Sequence, residues 1–156
     1  ASESVVFRNG YVSQPVCTPS RSTVMTGLWP HKNGCTENNI PLSQDTLCFP
    51  ELLNDPDYRT GYFGKWHLGD EIFAQHGFEE WHAIEDGYIN YYREGRDKSA
   101  RSSYHHFLLE QGYQPGNIHF ISPDADYQQT DQVVGNFSRR LAVGALQTQI
   151  SGAENH

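Results

Sequence analysis

The stretch Tyr58-Arg59-Thr60-Gly61-Tyr62-Phe63-Gly64-Lys65-Trp66-His67-Leu68-Gly69 decides how the chain is read. Tyr58 to Phe63 has the aromatic content and flanking breakers of a short strand. It runs directly into a loop that carries a cation, Lys65, and a titratable base, His67. Those residues alternate with Trp66, so on extended backbone both side chains point to the same side. Upstream, Asp45 or Thr46 can cap a helix with apolar positions at Leu47, Phe49, Leu52 and Leu53, which Asn54 to Asp57 ends with a proline. A helix leading into a strand, with polar residues just past the strand's carboxyl end, is the arrangement of an α/β sheet, where sites gather at those ends. The expected fold class is therefore α/β, with its site at Lys65 and His67.

A second candidate lies nearer the amino terminus. Val5-Val6-Phe7 is β-prone and Tyr11-Val12 continues it past Asn9-Gly10, which reads as an extended entry into a loop. In Gln14-Pro15-Val16-Cys17-Thr18-Pro19 two prolines stiffen the backbone around one cysteine. Ser20 to Thr26 then reads as a helix with Pro19 in its first turn and Gly27 and Pro30 as its stop. Cys17 thus stands at a helix start, with Arg21 one turn on. Unpaired N–H groups and a fixed cation converging there favour an anionic oxygen or sulfur and an anionic substrate group. A lone cysteine also packs as a small buried hydrophobe, and a lone lysine or histidine is ordinarily solvated or structural. The combination of Cys17, Arg21, Lys65 and His67 argues for chemistry.

Composition narrows the classes. The chain has 156 residues, 37% hydrophobic, 19% charged and 13% aromatic, which suits one folded domain or part of one. A net charge of -8 disfavours a nucleic-acid partner, whose phosphates need many Lys and Arg. Cys17, Cys35 and Cys48 form no C-x-x-C pattern and cannot all pair, so a disulfide framework is not expected. No apolar run is long enough to span a bilayer, and no signal peptide opens the chain. The sole methionine is Met25, so the sequence is expected to begin after the start of its gene.

Beyond the strand, Phe73 to Tyr92 reads as irregular and aromatic. Ser99 to Gln111 reads as a helix with Tyr104, Phe107 and Leu108 on one face, Gly112 to Asp126 as loop, and Thr130 to Gln149 as a helix interrupted by Gly135 and Gly144. His31, after Pro30, suits packing or capping. His105-His106 are adjacent on a helix and face different ways, which suits a surface and not a shared metal. Asp55-Pro56-Asp57 and Asp124-Ala125-Asp126 lie in turn-forming sequence, where Asp serves local hydrogen bonds.

Cys17-Thr18-Pro19-Ser20-Arg21 resembles the Cys-x-Pro-Ser-Arg signature of the type I, formylglycine-dependent sulfatases of the alkaline phosphatase superfamily. Val6-Phe7 through Tyr11, Leu28-Trp29-Pro30-His31-Lys32-Asn33-Gly34, Ile40-Pro41-Leu42, Leu52-Leu53, the whole Tyr58 to Gly69 stretch and Phe78-Glu79-Glu80-Trp81 are similar to the same family. The likeness is strong over residues 5–81, weak over 82–140 and not evident over 141–156. It implies that residues 1–156 are an incomplete sulfatase catalytic domain, a partial alkaline-phosphatase-like α/β/α sandwich. It implies a sulfuric ester hydrolase in which Cys17 is oxidised to formylglycine by a formylglycine-generating enzyme. The hydrated aldehyde attacks sulfur and releases the alcohol, and its second hydroxyl then expels sulfate. On this resemblance Arg21 stabilises the diol oxygen, Lys65 binds sulfate and diol, and His67 accepts the proton that starts the collapse. The substrate would be a sulfate-ester small molecule or a sulfated glycan, with its alcohol portion gripped by the aromatic segment Trp81 to Tyr92.

The family's cofactor is a divalent cation, usually Ca2+, that acidifies the diol. Its usual acidic ligands come from an early strand and from a later one, and of the set this sequence offers Cys17, as formylglycine. The expectation is a sulfatase parent and an inactive isolated piece, with a periplasmic or secreted location in keeping with the resemblance. A phosphonate monoester or phosphodiester hydrolase of the same superfamily would use a similar site, and an unmodified, non-catalytic cysteine domain could bind an anion at the helix start. A cysteine-dependent phosphatase is disfavoured, because its loop needs a longer spacing than that from Cys17 to Arg21.

Overall fold

The structure, a computed structural model, describes residues 3–112. Helix α1 (Cys17–Thr26) starts at Cys17 and not at Ser20, because Val16 is extended (φ -134°) and Pro19 falls in the first turn, where a missing N–H costs nothing. Gly27 ends it in the left-handed region (φ 70°), its N–H returning to the Thr23 carbonyl. The buried face of α1 is hydroxyl-lined. Thr18, Ser22 and Thr26 follow one another at helical spacing, and Asn33 Nδ2 donates to Ser22 Oγ at 2.9 Å. Asn33 closes the short α2 (Pro30–Asn33), so a polar contact binds α2 to α1.

Helix α3 (Phe49–Leu53) is shorter than the sequence suggests. Its cap is Cys48 and not Asp45 or Thr46, because Glu51 reaches back to the Cys48 N–H at 2.7 Å. Leu47, Phe49, Leu52 and Leu53 are half exposed and do not form its inner face; Pro50 is the buried residue.

Strand β1 (Gly61–Gly64) pairs in parallel with β2 (Glu80–Ala83), in the register Gly61 to Glu80 through Gly64 to Ala83. The connection, residues 65–79, is a crossover of the length that parallel pairing requires, but no helix forms in it. The expectation of a wholly irregular Phe73 to Tyr92 is corrected by β2 and by a 3-10 turn at Ile89–Tyr91. The parallel pair with its flanking helices agrees with the α/β reading. Val5 to Val12, by contrast, form no strand: Phe7 and Tyr11 are 85% and 93% exposed, and no described strand lies alongside to share a ladder.

The core is aromatic and sits on one face of β1. Tyr62 stacks on Trp81 with ring centroids 4.7 Å apart and meets Trp66 edge to face at 5.0 Å, while Phe78 closes the group. Cys35, Leu42, Cys48 and Leu68 fill the space around it. Helix α4 (Ser103–Glu110) is capped by Ser102, whose Oγ accepts from the His105 N–H, and Asp86 accepts from both the N–H and the hydroxyl of Ser102. No described helix is long and apolar enough to cross a membrane. The loop reading beyond Gly112, the helix from Thr130 to Gln149 and the Asp124-Ala125-Asp126 pair lie outside the described residues.

Candidate active site at the carboxyl end of β1

Backbone contacts bring the start of α1 and the loop after β1 together. Thr18 Oγ1 donates to the His67 carbonyl at 2.9 Å, and Arg21 Nη1 donates to the Lys65 carbonyl at 2.6 Å. The Tyr62 hydroxyl donates to that same Lys65 carbonyl from the core side. Arg21, Lys65 and His67 are thereby gathered, and Cys17, exposed at the first helical position, adjoins the Thr18 anchor. The expected cluster of unpaired N–H groups is smaller than the sequence suggests. The Thr18 N–H donates to Asn38 Oδ1 at 3.0 Å, Pro19 has none, and Ser20 donates to the Val16 carbonyl at 3.0 Å. The helix end therefore favours an anion through its dipole and Arg21 more than through free donors.

His67 is held on several sides. Its backbone is left-handed (φ 60°), a state uncommon outside glycine. Glu71, fully buried, accepts from the N–H of Trp66 at 2.7 Å and of His67 at 2.5 Å, which fixes that turn. Burial pushes the Glu71 carboxyl up to about 7, against the pull of those two donors. The His67 ring lies 6% exposed, with Nε2 on Asn39 Oδ1 at 2.8 Å and Nδ1 buried without a hydrogen-bond partner. Burial, with Lys65 and Arg21 adding to it, lowers the imidazole to about 4. His67 is a neutral base at neutral pH.

Lys65 is directed by two acceptors, the Tyr88 hydroxyl at 2.9 Å and Glu85 Oε2 at 3.2 Å. Burial works against its charge, but those partners outweigh burial and hold its pKa above the ordinary value. Asn39, His67, Gly69, Tyr88 and Tyr91 line a small cleft here, with space of about 10 Å³, room for about one water.

Sequence reasoning missed the residues that hold this arrangement. Asp70, 1% exposed, accepts from Arg93 Nε at 2.5 Å, from the Arg93 N–H at 2.8 Å and from Arg96 Nε at 3.0 Å. That carboxylate pins the segment after Tyr88 to the loop. Burial raises its pKa, but the arginines win and the carboxyl ends below the ordinary range. His31 is exposed in α2, His106 is exposed, and His105 faces Asp86 at 3.9 Å. Asp55 accepts from the Asp57 N–H at 3.0 Å, the local turn bond expected of that pair.

A metal ion would need a matching donor set. Ca2+ takes about six to eight oxygens. Among the described residues, one group of three His, Cys, Asp or Glu ligand atoms lies close enough to share an ion, and it is Cys48, Glu51 and His76, within 4.8 Å of one another, without Cys17. The described residues around Cys17 do not fit the cation. In the Cys48 group Glu51 Oε2 already accepts from the Cys48 N–H at 2.7 Å, and His76 Nδ1 is buried without a hydrogen-bond partner. Gln75 Nε2 is committed to the carbonyls of Gly69, Asp70 and Phe73, so its Oε1 must accept from Gln44 Nε2 at 3.4 Å. Gln44 therefore donates to His76 Nε2 at 3.1 Å, and the imidazole proton sits on Nδ1, facing Glu51 Oε2 at 3.5 Å.

Comparison with known proteins shows what the chain is similar to. The chain is 36% identical over 92 residues to an ulvan-active sulfatase of Formosa agariphila, covering 54% of this chain and 18% of that protein. It is 38% identical over 81 residues to an N-acetylglucosamine-6-O-sulfatase of Bacteroides thetaiotaomicron, covering 52% and 14%. The crystal structure of yidJ from Bacteroides fragilis is 31% identical with a TM-score of 0.47, covering 53% of this chain and 24% of that one. The chain thus spans less than a fifth of the length of these two curated relatives (18% and 14%). The family model named Sulfatase matches residues 1–114, most of the sequence, and the chain belongs to the sulfatase family.

Proposed function

We propose that the full-length protein containing this chain hydrolyses sulfate esters, with Cys17 as the residue that carries the nucleophile after oxidation to formylglycine. The observation that carries this reading is the anchoring of the loop after β1 to α1: Thr18 holds the His67 carbonyl and Arg21 holds the Lys65 carbonyl. A cation and a neutral base thus lie on a loop anchored to Thr18 and Arg21 of the helix that an exposed Cys17 begins, which supports the reading. Formylglycine, when formed there, supplies a hydrated aldehyde with one oxygen for attack on sulfur and a second for release of sulfate. Lys65 offers its ammonium to the sulfate oxygens and to the charge that grows in the transition state. Arg21 places positive charge at the start of α1, where the helix dipole already favours an anion. His67 takes the proton at Nδ1, the nitrogen that Asn39 leaves free.

The few free donors at the helix start support a catalytic over a simple anion-binding role. The test is mass spectrometry of the Cys17 peptide from the full-length protein, coexpressed with a formylglycine-generating enzyme, beside turnover of matched aryl sulfate and phosphodiester probes. Conversion of Cys17, preference for the sulfate and loss of turnover in Cys17→Ala are expected. An unconverted but active protein, or an active Cys17→Ala, rejects the assignment; preference for the phosphodiester places the protein with the phosphonate and phosphodiester hydrolases.

A further inference from the structure

The aromatic segment around Tyr88 does more than border the cleft. Tyr88 Oη accepts from Lys65 Nζ at 2.9 Å, and the same ring lies over the His67 imidazole with centroids 4.2 Å apart and planes inclined by 32°. Lys65 Nζ is also 5.2 Å from the ring centroid. One side chain therefore touches both groups that the proposed hydrolysis uses, at a point where each is otherwise underdetermined. An ammonium on a flexible stem has three donors and no preferred direction. Here Tyr88 and Glu85 take two, leaving one for a substrate oxygen. The imidazole is tied at Nε2 by Asn39, and a single hydrogen bond leaves a ring free to rock about it. The Tyr88 face removes that freedom. Tyr88 is itself anchored, since Asp70 grips Arg93 and Arg96 just downstream.

We propose that Tyr88 is a positioning residue, its hydroxyl aiming the Lys65 ammonium and its ring holding the His67 imidazole in line. The proposal rests on the sulfate-ester reading, and its two halves are separable because Phe keeps the ring and discards the hydroxyl. The groups facing Lys65 are Glu85 and Tyr88 at its ammonium and Arg21 and Tyr62 at its carbonyl, so Tyr88→Phe leaves the Glu85 pair and changes one contact.

The experiment uses the full-length protein, converted at Cys17, with 4-nitrophenyl sulfate as probe. Wild-type turnover is established first, so that its absence counts against the sulfatase reading and not against Tyr88. Tyr88→Phe is expected to raise KM about tenfold while kcat changes by less than about threefold. Tyr88→Leu should show the same KM effect and a further fall in kcat of about tenfold or more, with sulfated enzyme accumulating because the proton step is slowed. A Tyr88→Phe variant with wild-type KM overturns the hydroxyl half. Equal kcat in the Phe and Leu variants overturns the ring half. Because Tyr88→Phe removes one atom at a half-exposed site, its folding is not in question, and it decides the first half alone.

Discussion

Removing the Glu71 carboxylate tests the idea that the site is shaped by its backbone. Glu71 is fully buried and accepts from two successive N–H groups, those of Trp66 and His67, at 2.7 and 2.5 Å. In Glu71→Ala both donors lose their acceptor in a place where Trp66, His67 and Glu71 are all buried. A buried unsatisfied donor costs about 1–3 kcal/mol, so the pair costs about 2–6 kcal/mol. The left-handed backbone at His67 (φ 60°) adds strain that the lost bonds no longer oppose. Glu71→Gln is the sharper variant: its amide oxygen keeps one N–H, but its amide nitrogen faces the other donor to donor. The assay is amide hydrogen exchange of the full-length protein by mass spectrometry, on peptides covering Lys65 to Gly69. It is run at pH 8, above the value of about 7 to which burial pushes Glu71, so that the carboxylate is ionised. Even the lower figure, about 2 kcal/mol, makes local opening about thirtyfold more frequent. Glu71→Ala should therefore lose at least that much protection there, with Glu71→Gln between it and wild type. Protection unchanged within about threefold in both variants would refute the reasoning, because the turn would then be held by something other than these two bonds.

Other expectations concern chemistry and packing. Lys65→Ala should raise KM and slow sulfur attack together, because its charge meets the sulfate in both ground and transition states; steady-state kinetics on an aryl sulfate reads both. His67→Ala should give a burst of alcohol followed by a slow steady state with a sulfated enzyme detectable by mass, whereas slow release from the first turnover would remove His67 from the proton step. Because burial, Lys65 and Arg21 lower His67 to about 4, its base form persists down to that pH; the acid limb of kcat, which contains the sulfate-release step, should fall near pH 4, and Lys65→Met should move it upward toward the ordinary histidine value. Gly69→Ala would place a Cβ 2.8 Å from Pro41 Cβ on a backbone at φ +93°, so a loss of about 2–4 kcal/mol is expected, read as a lower thermal midpoint of the full-length protein.

The parts of this site that were legible in the sequence are those fixed by local chemistry. Strand propensity in Tyr58 to Phe63 and a glycine at Gly64 placed Lys65 and His67 just past a strand end, and the structure sets β1 at Gly61–Gly64. Helix α1 was legible through Pro19 and Gly27, although its start was read from Ser20, because a proline in the first turn is compatible with either beginning. Strand β2 was not legible. Glu80-Trp81-His82-Ala83 alternates polar and apolar, but four residues are too short a run to separate a strand from irregular chain, and what makes it a strand is the ladder that β1 offers. Val5 to Val12, β-prone and read as an extended entry into a loop, are exposed chain without a strand, since β propensity without a partner strand forms no ladder. Asp70 and Glu71 look like solvated loop acids, and no local signal separates a carboxylate in water from one that ligates backbone amides or closes on arginines from a distant segment.

That division has a chemical consequence. Thr18, Arg21 and Tyr62 bond to carbonyls of the loop, and Glu71 bonds to its amides, so these contacts end on main chain and depend neither on the Lys65 ammonium, which Tyr88 and Glu85 direct, nor on the His67 ring. Replacing Lys65 or His67 therefore alters chemistry while the loop stays pinned. Arg21 is different in kind. Its guanidinium carries charge toward the Cys17 end of α1 and also grips the Lys65 carbonyl, so its removal deletes a cation and frees the loop at once. A kinetic loss in an Arg21 variant is a sum of two terms, and Arg21→Lys, which retains the charge but not the planar reach of the fork, is the variant that separates them.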